Sequence, residues 1–397
     1  MKKFIIFLCV CVVCFFNVQP SYLIYASSKN EQLQNLEEEL SDNVFTQLST
    51  LDFSGLDYYL TEINNSYSFT DLSNIEEVVS KIAGGEYFTD FSSVLDGLIN
   101  ILFSNIKNFI PIIFLIIAIA VVASILNSLK SSVIGSGVND IIHFVCYSVV
   151  VLLLVANVTK VIDLTNSALT NMTNQMEIVF PILLTLLTAV GGVSSVGIYK
   201  PIVAVLTQGV GVVFSKVLFP IFVVSFIFLI VGNLSKNIKL DKFCGFLSSV
   251  FKWIVGFVFT LFASFLTIQG VSAGKFDGIS VKATKFAVKS YVPLIGGYIS
   301  DGFDLILCAS VIIKNAVGVV GLVLVLFTII SPVIQILVLK LGLQLVSAIL
   351  EPIGETQISN FATGCSKILI YPIVLILAVA FMYVLSVGLI MTTANVV

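Results

Sequence analysis

Phe109-Ile-Pro-Ile-Ile-Phe-Leu-Ile-Ile-Ala-Ile-Ala-Val-Val-Ala-Ser-Ile-Leu-Asn-Ser-Leu129 carries no charged side chain and is flanked by Lys107 and Lys130. About 20 such residues, coiled as a helix, cross the hydrocarbon core of a bilayer with every backbone amide paired internally. Comparable runs follow at Ile141–Val158, Ile178–Ser195, Val217–Leu234, Trp253–Val271, Val317–Leu337 and Ile368–Met391. Three more stretches, Pro201–Ser215, Tyr291–Ile313 and Val338–Ile349, are apolar but short or broken by glycine and proline. The pattern predicts an all-α polytopic membrane helix bundle of about six to eight spans, some broken or re-entrant.

Composition agrees. Apolar residues make up 58% of the 397-residue chain and charged ones 11%, against roughly 25% charged in a soluble domain. All twenty basic residues are lysine, so the planar fork of arginine is missing. Between Lys29 and Asp96, fourteen acids face two lysines. That charge would repel a phosphate backbone and excludes a nucleic-acid partner for this part.

Met1–Ser28 reads as a signal peptide. Lys2 and Lys3 precede the apolar core Phe4–Phe16, and Ala26-Ser27-Ser28 supplies small residues for cleavage. The alternative is an uncleaved anchor. Residues 29–106 then form an acidic extracytoplasmic helical module, with apolar stripes at Leu33, Leu36, Leu40, Val44, Leu48 and Leu51, at Leu56, Tyr59, Leu60 and Ile63, and at Leu72, Ile75, Val79 and Ile82. Asp71 or Thr70 is the candidate N-cap of the third stripe. A module of about 75 residues is marginal as an independent fold and should pack on something else. Residues 107–397 form the polytopic membrane domain, with the lipid bilayer as its first partner.

No motif for chemistry is complete, and the chain reads as not an enzyme. Gly270 to Phe276 resembles a phosphate loop but is one residue short and has Phe276 where a hydroxyl should bind magnesium. His143 is the single histidine, and Cys146, Cys244, Cys308 and Cys365 lack ligand spacing, so no metal site and no cofactor is expected. The positions that stand out are breaks in apolar stretches: Pro181 with Gly191 and Gly192, then Pro293 with Gly296 and Gly297, followed by Asp301 and Asp304. Freed backbone groups at membrane depth must be satisfied by protein or water, and transporters place substrate at such breaks. The simpler reading is close helix packing. Lys216, Lys314 and Lys340 interrupt apolar runs and either snorkel to an interface, the preferred reading, or face a polar interior. If Pro201–Leu234 crosses once, Lys275, Lys282, Lys285 and Lys289 fall inside and Lys236, Lys239 and Lys242 outside; if it crosses twice or re-enters, the groups swap sides, and a count of four lysines against three leans to the first without settling the topology.

Tyr291-Val-Pro293-Leu-Ile-Gly296-Gly297-Tyr-Ile-Ser-Asp301, Phe180-Pro181 to Gly192, Leu350-Glu351-Pro352-Ile353-Gly354 and Val311-Ile-Ile-Lys314-Asn315-Ala316-Val317-Gly318 resemble segments of the stage III sporulation protein AE family of endospore-forming bacteria. The resemblance covers the chain after its signal. It implies a non-enzymatic integral membrane subunit of a mother cell–forespore channel or export apparatus, required after engulfment. Its implied partners are other stage III A sporulation proteins, namely ring-forming components and an ATPase, and indirectly a forespore membrane partner. The implied location is the mother-cell membrane around the forespore, with the acidic module in the intermembrane space. Pro181, Gly191, Gly192, Pro293, Gly296, Gly297, Asp301, Asp304 and Lys314 are then the candidate conduit positions. The alternative, resting on the broken helices and nearby lysines, is a stand-alone secondary transporter for a small solute.

Overall fold

A computed structural model describes residues 31–67, 74–85, 91–128, 136–234, 240–291 and 296–393. The signal reading of Met1–Ser28 lies outside them. Every regular element among the described residues is helical: α1 Glu31–Leu48, α2 Ser54–Tyr67, α3 Ile75–Ala83, α4 Phe91–Ser128, α5 Ser136–Ala189, α6 Val193–Ala204, α7 Phe219–Leu234, α8 Asp241–Tyr291, α9 Gly296–Leu350, α10 Thr356–Ile368 and α11 Ile370–Thr392.

Six helical runs among these residues are long and apolar enough to cross a membrane: Ile99–Ile125, Phe144–Ala189, Val193–Asn233, Lys242–Thr267, Asp304–Leu350 and Thr356–Thr392. Fewer breaks occur than the sequence suggests. Ile141–Val158 and the first part of Ile178–Ser195 are the two ends of one 54-residue helix, α5, which at 1.5 Å per residue is about 80 Å long. The polar residues between those ends do not stop it, because they recur at helical spacing and turn to one side. Tyr291–Ile313, Val317–Leu337 and Val338–Ile349 likewise merge into the 55-residue α9, apart from Tyr291, which ends α8, and residues 292–295, which lie outside the described residues. Pro201–Ser215 runs into α7 through two wide π-type turns, Val205–Val210 and Phe214–Leu218, where an extra residue is absorbed without ending the helix.

α9 is the axis. It packs against α1, α2, α3, α4, α5, α8, α10 and α11. From Leu307 to Ile336 none of its residues is exposed, whereas Leu337, Leu341, Leu345 and Ile349 further on are exposed, as are Phe103, Phe114 and Leu115 of α4. Lipid tails are as apolar as leucine, so helix association here rests on close packing at small residues. A Cβ on Gly342 of α9 would come within 2.7 Å of Ile113 of α4, and one on Gly364 of α10 would collide with Leu229 of α7. The turn joining α9 to α10, Glu351–Gly354, closes through Gly354 at φ 87°, and Ser124 of α4 donates to its Ile353 carbonyl at 2.9 Å.

The amino-terminal helices bury much of the stripes expected of them: Val44 and Leu48 in α1; Leu56, Tyr59, Leu60 and Ile63 in α2; Ile75 and Val79 in α3, where Val78 is buried as well and Ile82 half-buried. The third helix opens at Ile75, later than the Leu72 stripe suggested, and the proposed caps Thr70 and Asp71 lie outside the described residues. Its first turn is satisfied from a neighbour instead: the Ile75 amide donates to the Asp57 carboxylate of α2 at 2.8 Å. This layer rests on the bundle. Gln47 donates to the Ile306 carbonyl at 3.3 Å and accepts from the Ser310 hydroxyl at 2.7 Å, both on α9. Ile178 of α5 closes over Gly55, and Tyr59 hydrogen-bonds Asn174 of α5.

Candidate functional site

Polar side chains run along the sheathed half of the bundle. Lys314 of α9 is 0% exposed, although snorkelling was the preferred expectation for it. Its ammonium donates to the Thr393 carbonyl at the carboxyl end of α11. The Thr393 hydroxyl in turn pairs with the Tyr199 hydroxyl of α6 at 2.7 Å. A cation at a helix carboxyl terminus meets unpaired carbonyls and the negative end of the helix dipole. That compensates a charge which would otherwise be costly to bury. Lys216 is exposed and Lys340 half-buried.

Three further bonds stitch the axis. Gln175 of α5 donates to Thr328 of α9 at 2.8 Å, and Ser347 of α9 pairs with Ser359 and Thr363 of α10. Lys314 and Glu355 are the charged residues buried among the described residues. Lys314 lies about 54 Å along α9 from Leu350, where the turn leading to Glu355 begins, too far for the two to neutralise one another.

The proline-and-glycine positions separate into distinct roles. Pro181 lies inside α5 without ending it; it removes the amide that would have paired with the Glu177 carbonyl. Gly191 and Gly192 do end α5. Gly191 adopts φ 90°, its amide donates to Thr188 at 2.9 Å, and the Gly192 amide donates to Leu187 at 2.8 Å. That pair of bonds is a Schellman cap, which needs a left-handed residue after the helix. Gly296 and Gly297 form the first turn of α9 and Asp301 follows on it; Pro293 lies outside the described residues. Asp304 is half-buried on α9, about 15 Å along the helix from Lys314. The structure thus brings Lys314 to the carboxyl end of α11, where Thr393 links it to Tyr199 of α6, but shows no contact joining Pro181, the Gly191–Gly192 cap or Asp304 to it among the described contacts.

Sequence reasoning missed Tyr199, Thr393, Gln175 and Tyr383, which reveal themselves only as partners across helices. It also missed a feature legible in the text. Lys160, Asp163, Ser167, Thr170, Asn174 and Glu177 recur at intervals of three and four, and all six are exposed along one edge of α5. Helical counting of polar residues would have found them as readily as counting apolar ones.

Comparison with known proteins places this architecture. No solved structure matches the chain. The stage III sporulation protein AE of Bacillus subtilis (strain 168) is 26% identical over 280 residues, 70% of each chain. The family model described as stage III sporulation protein AE matches residues 73–394, well over half of the chain. The match takes in the Lys314 contact, the Gly191–Gly192 cap and the α9–α10 turn, and it begins after α1 and α2. The chain therefore belongs to the stage III sporulation protein AE family.

Proposed function

We propose that the chain is a non-enzymatic, multi-pass subunit of the mother cell–forespore channel or export apparatus needed for endospore formation after engulfment. Its family membership, joined to six membrane-compatible helices, is the observation that carries this reading. The chemistry inside the bundle supports it. Several buried hydroxyls and amides pair between helices, and Lys314 is placed at a helix end, contacts that fix helix positions. In this reading the protein sits in the mother-cell membrane around the forespore beside other stage III A sporulation proteins. Ring-forming components and an ATPase are its nearest partners, with a forespore membrane protein beyond them. The acidic helices α1–α3 face the intermembrane space, as an export signal ahead of them requires. The uninterrupted helical run Val193–Asn233 supports the single crossing that lysine counting favours.

Deletion of the gene in its own organism tests the role. The expected result is normal vegetative growth with engulfed, arrested or shrunken forespores and loss of heat-resistant spores. Normal sporulation with altered solute uptake would overturn it in favour of a secondary transporter. Alkaline phosphatase fused after Asp90 tests the topology, and an inactive fusion would reverse the assigned side.

A further inference from the structure

Aromatic contacts mark one cross-section of the bundle. Phe180 of α5 meets Tyr383 of α11 with ring centroids 5.6 Å apart, and Phe259 of α8 stacks on Phe381 of α11 at 5.4 Å. Val179 and Tyr383 both close on Gly321 of α9. α5, α8, α9 and α11 therefore share this level.

The two flanks at that level demand different solvents. On α8, Phe257, Leu261 and Phe265 are 56%, 51% and 52% exposed. On α5, Asn174 and Glu177 are exposed just before Phe180, with Thr170 about 15 Å from Phe180 down the same edge, and α2, seated on this segment through Ile178 and Asn174, exposes Glu62. An apolar strip of the first kind is a liability in water. The charges of Glu177 and Glu62 would cost at least ~2.5–3.5 kcal/mol each in hydrocarbon. Neither water all round nor lipid all round suits the same slice.

The polar edge is also long. From Lys160 to Glu177 it covers about 26 Å at 1.5 Å per residue, close to the ~30 Å of a bilayer core. The antiparallel pairing of α5 with α9, fixed by Gln175 on Thr328 and Val179 on Gly321, carries Lys160 to about the level of Leu343 on α9. Around that level Leu341 and Leu345 of α9 and Phe114 of α4 are exposed apolar residues. Lipid-compatible surface thus accompanies the polar edge at both of its ends.

We propose that the α5 edge Lys160–Glu177, together with the exposed acidic faces of α1–α3, is the water-facing wall of an aqueous vestibule that reaches into the bilayer. The lipid face is formed by α4, α7 and α8. This rests on the conduit reading above and assigns its lining to α5 rather than to the proline-and-glycine positions.

Single cysteines at Ser167, Thr170, Phe257 and Leu261 test the assignment, each in the full chain replacing the native protein in sporulating cells. Spore counts confirm that a variant is folded and assembled. Fragmented membranes, open on both sides, are treated with the cationic reagent trimethylammonium-ethyl methanethiosulfonate. Modification is read by mass spectrometry at the introduced position and normalised to the same sample in dodecyl sulfate. Because the thiolate is the reacting species and forms in water, Ser167→Cys and Thr170→Cys should label about tenfold or more faster than Phe257→Cys and Leu261→Cys. Equal labelling of all four would mean that the slice stands in bulk water and would overturn the proposal. Protection of Ser167→Cys and Thr170→Cys would overturn it as well, by showing the edge packed against protein or lipid. Neither result alters the deletion phenotype, so failure here is distinguishable from failure of the sporulation role.

Discussion

Tyr383 sits at the crowded centre of the cross-section, fully buried, with a hydroxyl that has no hydrogen-bond partner among the described residues. Leaving a buried hydroxyl unsatisfied costs about 1–3 kcal/mol. Tyr383→Phe removes that oxygen and keeps the edge contact with Phe180, so the variant should be at least as stable as the parent, by up to about 1–3 kcal/mol. Gly321→Ala acts in the opposite direction. Its Cβ would fall 2.8 Å from the Tyr383 hydroxyl oxygen and 3.0 Å from Val179 Cγ1, an overpacking worth about 1–3 kcal/mol. In the double variant the oxygen is gone and the valine contact remains, so the alanine penalty should fall without vanishing, a coupling of about 0.5 kcal/mol or more. Thermal unfolding of the purified full chain in micelles provides the assay, with a thiol-reactive fluorogenic coumarin reporting exposure of the buried Cys365. A Tyr383→Phe protein less stable than the parent, or strictly additive effects of the two changes, would refute the account of this contact.

Three further outcomes follow from the same geometry. Lys314→Glu places a carboxylate against the Thr393 carbonyl at the negative end of α11 and should abolish accumulation of folded protein in membranes by immunoblot, whereas Lys314→Met should be milder, costing about 1.5–3 kcal/mol for the lost charged hydrogen bond. Thr393→Val removes the bond to Tyr199 and should lower thermal stability by about 1 kcal/mol, with no added effect of Tyr199→Phe in that background. Gly191→Ala must hold a side chain at φ 90° and should cost about 1–2 kcal/mol in the same unfolding assay. Gly192→Ala, whose Cβ would approach the Leu187 carbonyl oxygen to 2.8 Å, should cost more because backbone cannot step aside.

Much of the architecture was legible in the sequence because one signal, apolar length, dominates in lipid. The helical class and the membrane spans follow from it, and the buried stripes of α1–α3 follow from spacing. Continuity was not legible. Asn157 through Glu177 looks like a connection because its residues are polar, yet polar residues on one edge are compatible with an unbroken helix. Glycine pairs were equally ambiguous: Gly191–Gly192 forms a helix cap, while Gly296–Gly297 begins a helix. The environment of Lys314 could not be read at all, since its partner lies 79 positions away on another helix.

The seat of the amino-terminal layer has a consequence for how the protein is made. Gln47 finds its partners on α9, 259 and 263 positions later in the chain. At ~5–20 residues per second of synthesis, α1 waits about 13–50 s after emerging before α9 exists to receive it. During that interval, with these helices on the extracytoplasmic side as proposed, Val44, Leu48, Leu56 and Leu60 lack the α9 surface that covers this layer in the finished fold. Assembly of this chain should therefore be sensitive to the supply of extracytoplasmic holding chaperones and to proteases there. Slowing translation between α4 and α9 should lengthen the exposure and reduce the yield of mature protein.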